Sequence, residues 1–221
     1  MIQIKSFIQN PFQENTYLLI NELNECIIVD PGSYSEKEQN HLIDFIQENS
    51  LRVIRIWLTH GHIDHILGAA FFADFFKLPV EHHPNETELI EMAPKQAASY
   101  GFYYTTPAFF QPSLMEAQPA TVGNSLIRFL EVPGHTKGSV AIYSADDSWV
   151  ITGDVLFRGS IGRTDLHGGD YDELMDSILR KLLVLPADTR VYPGHGPSTS
   201  IISEMQDNPF ITEFLRGVSD L

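Results

Sequence analysis

The segment THGHIDH, residues 59–65, places His60, His62, Asp64 and His65 within six positions. Imidazole nitrogen and carboxylate oxygen are the donors that proteins use for zinc and for related divalent metals. His60 and His62 are two apart, so on a strand or extended turn both rings face one way and can meet one ion. Asp64 and His65 would point at a neighbouring position. A lone His-x-His pair carries little information, but four such residues together exceed what packing or an ordinary surface calls for.

Three later residues share a context. His135 follows Pro133-Gly134, Asp154 follows Gly153, and His195 follows Pro193-Gly194. Each stands where a predicted strand ends, and each preceding glycine clears bulk where backbone must approach closely. Strand ends bearing metal-capable residues suggest a single rim. The donor set contains no thiolate, because Cys26 is the one cysteine; this excludes an intrachain disulfide and a cysteine zinc cage. Nitrogen and carboxylate donors suit Zn, Fe or Mn. Two such ions ~3.5–4 Å apart can share a water and lower its pKa from ~15.7 towards ~7. The resulting hydroxide needs no Ser, Cys or Lys nucleophile.

The elements that must position these residues follow from periodicity. Strands are expected at 15–20 (NTYLLI), 26–30, 53–60, 79–83, 125–132, 139–145, 148–154 and 190–196, with Ile2, Ile4 and Ile8 alternating at the N-terminus. Helices are expected at 35–50, 64–77, 85–93 and 171–185, and another from near Ser198. Ser35 stands three residues before Glu38, the spacing of a capping box. The His cluster therefore falls on a strand-to-helix turn. Residues 94–122 carry Pro94, Pro107, Pro112 and Pro119 among Phe102, Tyr103, Tyr104, Phe109 and Phe110. They read as a long ordered loop, either a substrate lid or a packed association surface. Helices between strands in both halves imply an α/β layered fold.

The 221 residues, 43% hydrophobic, suit one domain spanning 1–221. A net charge of −15 argues against nucleic acid or an anionic membrane as partner. No apolar run approaches the ~20 residues of a membrane span, and a cytoplasmic location is expected. The oligomeric state is left open, with a monomer as the default.

Five stretches together resemble the metallo-β-lactamase-fold hydrolases, in particular small single-domain glyoxalase II-like proteins. They are IIVDPG (27–32), LTHGHIDH (58–65), EVPGHTKGS (131–139), ITGDVLFRGSIGRTD (151–165) and YPGHG (192–196). The resemblance implies a four-layer αββα sandwich with two divalent metal ions, zinc foremost, at one edge of the sheets. Carried over, His60, His62 and His135 would hold one ion. Asp64, His65 and His195 would hold the other, with Asp154 bridging and Asp64 also positioning the hydroxide as the catalytic carboxylate. The implied reaction is hydrolysis of a small-molecule thioester. Glyoxalase II grips glutathione with a C-terminal helical region, and the stretch after His195 is short for one, so the thiol carrier stays open. The alternative is a persulfide dioxygenase of the same fold, which shares an RG–GRTD stretch and would hold one Fe(II) on His62, His135 and Asp154. A non-enzymatic metal-binding protein is the third reading.

Other chemistry-bearing residues read as structural. Arg158 and Arg163 are two of only 14 basic residues and could anchor a substrate carboxylate, but Asp165 stands close enough to tie Arg163 within its turn. His41, His82 and His83 are expected at the surface or behind the ligands. His167 falls outside the ligand set, and Cys26 reads as a small buried hydrophobe.

Overall fold

The computed structural model describes residues 1–104, 106 and 109–219. The first half of the chain builds one mixed sheet, in the order in which its strands occur. β1 (Gln3–Gln9), β2 (Glu14–Ile20) and β3 (Glu25–Val29) pair antiparallel. After helix α1 (Glu36–Glu48), β4 (Arg52–Trp57) joins β3 in parallel. Helices α2 (Ile63–Ile66) and α3 (Ala69–Phe76) precede β5 (Val80–His82), which joins β4 in parallel. Helix α4 (Thr87–Ser99) and the edge strand β6 (Phe110–Pro112) complete the half.

The second sheet runs β14-β13-β10-β9-β8-β7. Its strands are β7 (Ala120–Val122), β8 (Ser125–Glu131), β9 (Val140–Ser144), β10 (Trp149–Gly153), β13 (Arg190–Pro193) and β14 (Thr199–Ser200). A small hairpin, β11 (Leu156–Phe157) with β12 (Ser160–Ile161), leads into α5 (Tyr171–Ser177). Helices α6 (Ile201–Asp207) and α7 (Pro209–Ser219) close the described chain.

Strand alternation sorts the apolar side chains into layers. Tyr17, Leu19, Ile27, Val29 and Trp57 face Ile127, Phe129, Ile142 and Ile151 between the sheets. Trp57 and Phe129 meet edge to face with ring centroids 5.0 Å apart. The opposite face of the first sheet, with Leu18, Cys26, Ile28 and Ile56, packs on Leu42, Ile46, Phe72 and Ile90 of α1, α3 and α4. The outer face of the second sheet packs Tyr143, Val150 and Val191 on Leu174, Ile178, Ile201 and Ile211. The protein is thus an αββα sandwich: two mixed sheets face to face, with helices outside. Among the described residues, no helix is long and apolar enough to cross a membrane.

The capping box of α1 forms as its spacing implies. Ser35 Oγ accepts from the Glu38 amide and the Glu38 carboxylate accepts from the Ser35 amide. Several expected elements differ. The helix expected over 64–77 is broken into α2 and α3 at Leu67-Gly68, because Gly68 donates its N–H to the Pro31 carbonyl at 2.8 Å. There a Cβ would sit 2.7 Å from the Ser33 carbonyl oxygen. The helix expected over 171–185 widens after Ser177 into a π-turn over Ile178–Leu182. The segment 94–122 is not one loop: α4 runs through Pro94 to Ser99, and β6 and β7 take up two further pieces. Pro107 lies outside the described residues. His82 and His83 are buried, not at the surface; His82 Nδ1 meets the His83 carbonyl and His83 Nδ1 accepts from the Asn85 amide.

Candidate metal centre

The ligand-type residues gather at one edge of the sandwich, beyond the carboxyl ends of the strands. β4 ends at Trp57, and the chain bends at Thr59 and runs through His60 to His62, which is extended and stands immediately before α2. Asp64 and His65 occupy that short helix. His135 lies in the turn after β8, Asp154 follows β10, and His195 follows β13. The meeting of β10 and β13 requires glycine at both ends. A Cβ on Gly194 would lie 2.1 Å from Asp154 Oδ1, and one on Gly153 would lie 2.5 Å from Thr59 Oγ1.

The sequence-derived residues form two adjoining sets. In the first, ring nitrogens of His60, His62 and His135 come within 4.8 Å of one another. His62 Nδ1 and His135 Nε2 are 2.8 Å apart. In the second, Asp64, His65 and His195 converge within the same limit, and His195 Nε2 lies 3.1 Å from Asp64 Oδ2. Asp154 stands between them. Its Oδ1 is 3.4 Å from His65 Nε2, and its Oδ2 is 3.5 Å from His195 Nε2 and 3.8 Å from His135 Nε2. All seven residues named from sequence are therefore together.

Residues that the motifs did not single out fix the orientation of these rings. Asp30, at the end of β3, accepts from the Thr59 N–H at 2.7 Å and the Thr59 hydroxyl at 2.6 Å, and faces His65 Nδ1 at 3.0 Å. Asp30 also comes within ligand reach of His60 and His65, but it engages the far nitrogen of His65 and so orients that ring. Thr59 Oγ1 pairs with His60 Nδ1, the Arg163 carbonyl with His135 Nδ1, and the Phe12 carbonyl with His195 Nδ1. Asn15 and Tyr17 hold the turn that carries His195: Asn15 donates to the Pro193 and Gly196 carbonyls, and the Tyr17 hydroxyl to the Pro193 carbonyl at 2.6 Å. Asp30 fell within the IIVDPG stretch that carries the resemblance, but nothing there marked it as a partner of the histidines.

These residues fit bound cations. His60 Nε2, His65 Nε2 and Asp154 Oδ1 are buried without a hydrogen-bond partner, and each such group left unpaired costs about 1–3 kcal/mol. Burial and the surrounding imidazoles push His60 well below the usual histidine range. Burial and the adjacent His135 take His62 down to about 3. Burial alone would lower His65, but Asp154, Asp64 and Asp30 outweigh it and hold that ring well above the usual range. Burial alone would raise Asp154; His65, His135 and His195 hold it well below. The first set thus presents neutral nitrogen donors, and the second gathers the carboxylates.

His62, Asp64, His135, Asp154 and His195 line a cavity of about 450 Å³ whose walls include Phe12, Ile63, Gln96, Tyr100, Leu166 and His167. Phe12 meets Tyr100 edge to face at 5.4 Å and Phe102 at 5.6 Å. Of the aromatic residues that a lid over 94–122 would use, Phe102 packs on Phe12 of the wall, whereas Tyr103 and Tyr104 do not line the cavity. Tyr103 is 82% exposed, and Tyr104 packs against the core under α1, α3 and α4. Arg163 makes two parallel hydrogen bonds to Asp165, at 2.7 and 2.8 Å. The structural tie thus holds, and the loop acts on the site through the Arg163 carbonyl. Arg158 is not at the site at all: it lines a separate hollow with Asp188 and Arg190. His167 pairs with Glu88 at the rim.

Residues 9–195 match the Metallo-beta-lactamase superfamily. The chain is 38% identical over 205 residues to the probable metallo-hydrolase YqgX of Bacillus subtilis, covering 92% of this chain and 95% of that one. It is 34% identical to the hydroxyacylglutathione hydrolase GloC of Haemophilus influenzae, covering 90% of this chain and 93% of the relative. Among solved structures, TTHA1623 in a di-iron-bound form superposes with a TM-score of 0.83 at 38% identity, covering 93% of this chain and 99% of that one.

Proposed function

The chain belongs to the metallo-beta-lactamase superfamily, and from that premise we propose that it is a two-metal hydrolase of small thioesters. The observation that carries the reading is Asp154, a single half-buried carboxylate within 3.4–3.8 Å of histidines from both sets. His60, His62 and His135 would hold one ion, Asp64, His65 and His195 the other, and Asp154 both. Zinc, iron and manganese all suit these donors. When bound, such a pair lowers the pKa of a shared water towards ~7 and polarises a substrate carbonyl.

The side chains of the site supply the rest. Asp64 lines the cavity beside His195, and its carboxylate can accept a hydrogen bond from the attacking water, fixing the direction of its lone pair. Phe12 and Tyr100 give the acyl portion an apolar wall. A thiolate leaves readily, so little help from a general acid is needed; this agrees with a cavity whose buried titratable groups are all engaged as ligands. The name of the Haemophilus relative describes a thioester hydrolase, which supports the same bond as the target. The dioxygenase alternative uses His62, His135 and Asp154 and leaves His60, Asp64, His65 and His195 outside the ligand set.

The test is His195→Ala. We expect about one metal per chain and at least ~100-fold loss of thioester hydrolysis, the scale of losing one oxyanion-stabilising element. A variant that keeps its metal, and turns over a persulfide while consuming oxygen, would overturn the hydrolase reading. Tyr100→Ala is expected to raise KM several-fold with metal content unchanged; an unaltered KM would remove Tyr100 from the substrate wall.

A further inference from the structure

Glu86 takes no part in the ligand set, yet it is 1% exposed and sits directly behind it. It closes the single 3-10 turn Pro84–Glu86 that feeds α4. Its two carboxylate oxygens accept from two different loops. Oε2 takes the Gly61 N–H at 2.6 Å, and Oε1 takes the Gly138 N–H at 2.7 Å. Gly61 lies between His60 and His62, and Gly138 lies three residues after His135. One loop issues from the first sheet and the other from the second. Both backbones press on the carboxylate: a Cβ would lie 3.1 Å from Oε2 at Gly61 and 2.9 Å from Oε1 at Gly138.

We infer that Glu86 is a positioning residue for the three-histidine metal site, setting the separation between the loop of His60 and His62 and the loop of His135. The inference rests on the two-metal reading above. The loops also meet through the Val140 N–H and the Thr59 carbonyl at 2.9 Å, but that bond lies before His60, and Glu86 supplies the tie beyond it. Only a carboxylate serves here. Two N–H groups converge on two acceptor oxygens, whereas glutamine has one oxygen and would aim its amide N–H at one of the donors. The second set, Asp64, His65 and His195, is oriented by Asp30, Asn10 and Asn15 and makes no contact with Glu86. Glu86 therefore acts on one site and not on the other.

Glu86→Gln is nearly isosteric and removes one tie. Metal-free wild type and variant are titrated with zinc by calorimetry and with cobalt by visible absorption, with circular dichroism and Tm recorded in parallel. The expected result is two binding events in the wild type and, in the variant, a 10–100-fold loss of affinity in one event only, the scale seen when a group supporting a ligand is removed. In an Asp64→Asn background, the remaining event should be the one that Glu86→Gln weakens. Identical titrations of wild type and variant would overturn the inference, as would equal weakening of both events in step with Tm, the mark of a merely structural residue. A wild type that takes up no metal would overturn the two-metal reading, and this inference with it. Should Glu86→Gln fail to fold, Glu86→Asp keeps both acceptors but withdraws them by one methylene, and the same one-sided loss is expected.

Discussion

Asp30 decides which nitrogen of His65 is available. Its Oδ2 stands 3.0 Å from His65 Nδ1 and holds a proton on that nitrogen, so Nε2, towards Asp154, is the nitrogen left to give up its proton to a metal. Asparagine at this position would turn an N–H towards His65 or towards Thr59. Asp30→Asn is therefore expected to weaken metal binding at the Asp64–His65–His195 set by 10–100-fold, read as metal retained after dialysis. Retention equal to that of the wild type would show that Asp30 is there for Thr59 alone. The seven candidate ligands were legible because their types, their spacing in 60–65 and the glycine before His135, Asp154 and His195 are local. Asp30, Asn15, Tyr17 and Glu86 were not, because each meets backbone or side-chain atoms remote in sequence. The bond from Asn15 to the Pro193 carbonyl spans 178 positions.

At the scale of elements, strands and α1 were legible from period and capping. What the sequence concealed was set by tertiary contact. α2 and α3 separate because Gly68 packs on the Pro31 and Ser33 backbone, and nothing within 64–77 announces that. Proline and aromatic residues made 94–122 read as loop, whereas Pro94 sits inside α4, whose inner face buries Leu89, Ile90, Ala93 and Ala97. The cap of α1 makes a pH-dependent prediction. Burial alone would raise Glu38, but the amides of Ser35, Tyr34 and Asn10 outweigh it and hold the carboxyl below the usual range. A carboxylate depressed in the folded state stabilises above its unfolded value of ~4.3, and that contribution is lost as pH falls through the folded value. Glu38 is half-buried, so solvent screens part of the effect. Glu38→Gln should cost up to about 1 kcal/mol at neutral pH. In urea melts the gap from wild type should close as pH drops below ~4. A gap that persists or widens in acid would contradict this account of the cap.

Across the whole molecule, His60, His62, Asp64 and His65 come from the half that builds the first sheet, and His135, Asp154 and His195 from the half that builds the second. A metal pair held between them would link the two halves of the sandwich, and binding to the folded state alone would add stability by mass action. At a hundredfold excess over Kd each ion contributes about 2.7 kcal/mol, and for a chain of this size each kcal/mol moves Tm by roughly 2–4 °C. A chelator should lower Tm by on the order of 5–10 °C for each ion removed, reversed by added metal; an unchanged Tm would mean that the ligands do not join the halves. The central claim is that two ions act together at this edge, and counting them against activity tests it most directly. Metal-free protein is loaded stepwise with zinc, manganese or Fe(II), and metal per chain is measured alongside hydrolysis of a panel of thioesters. The account predicts saturation at two ions per chain, with thioester turnover rising chiefly as the second is filled. Saturation at one ion with full thioester activity, or two ions with no thioester turned over, would contradict it.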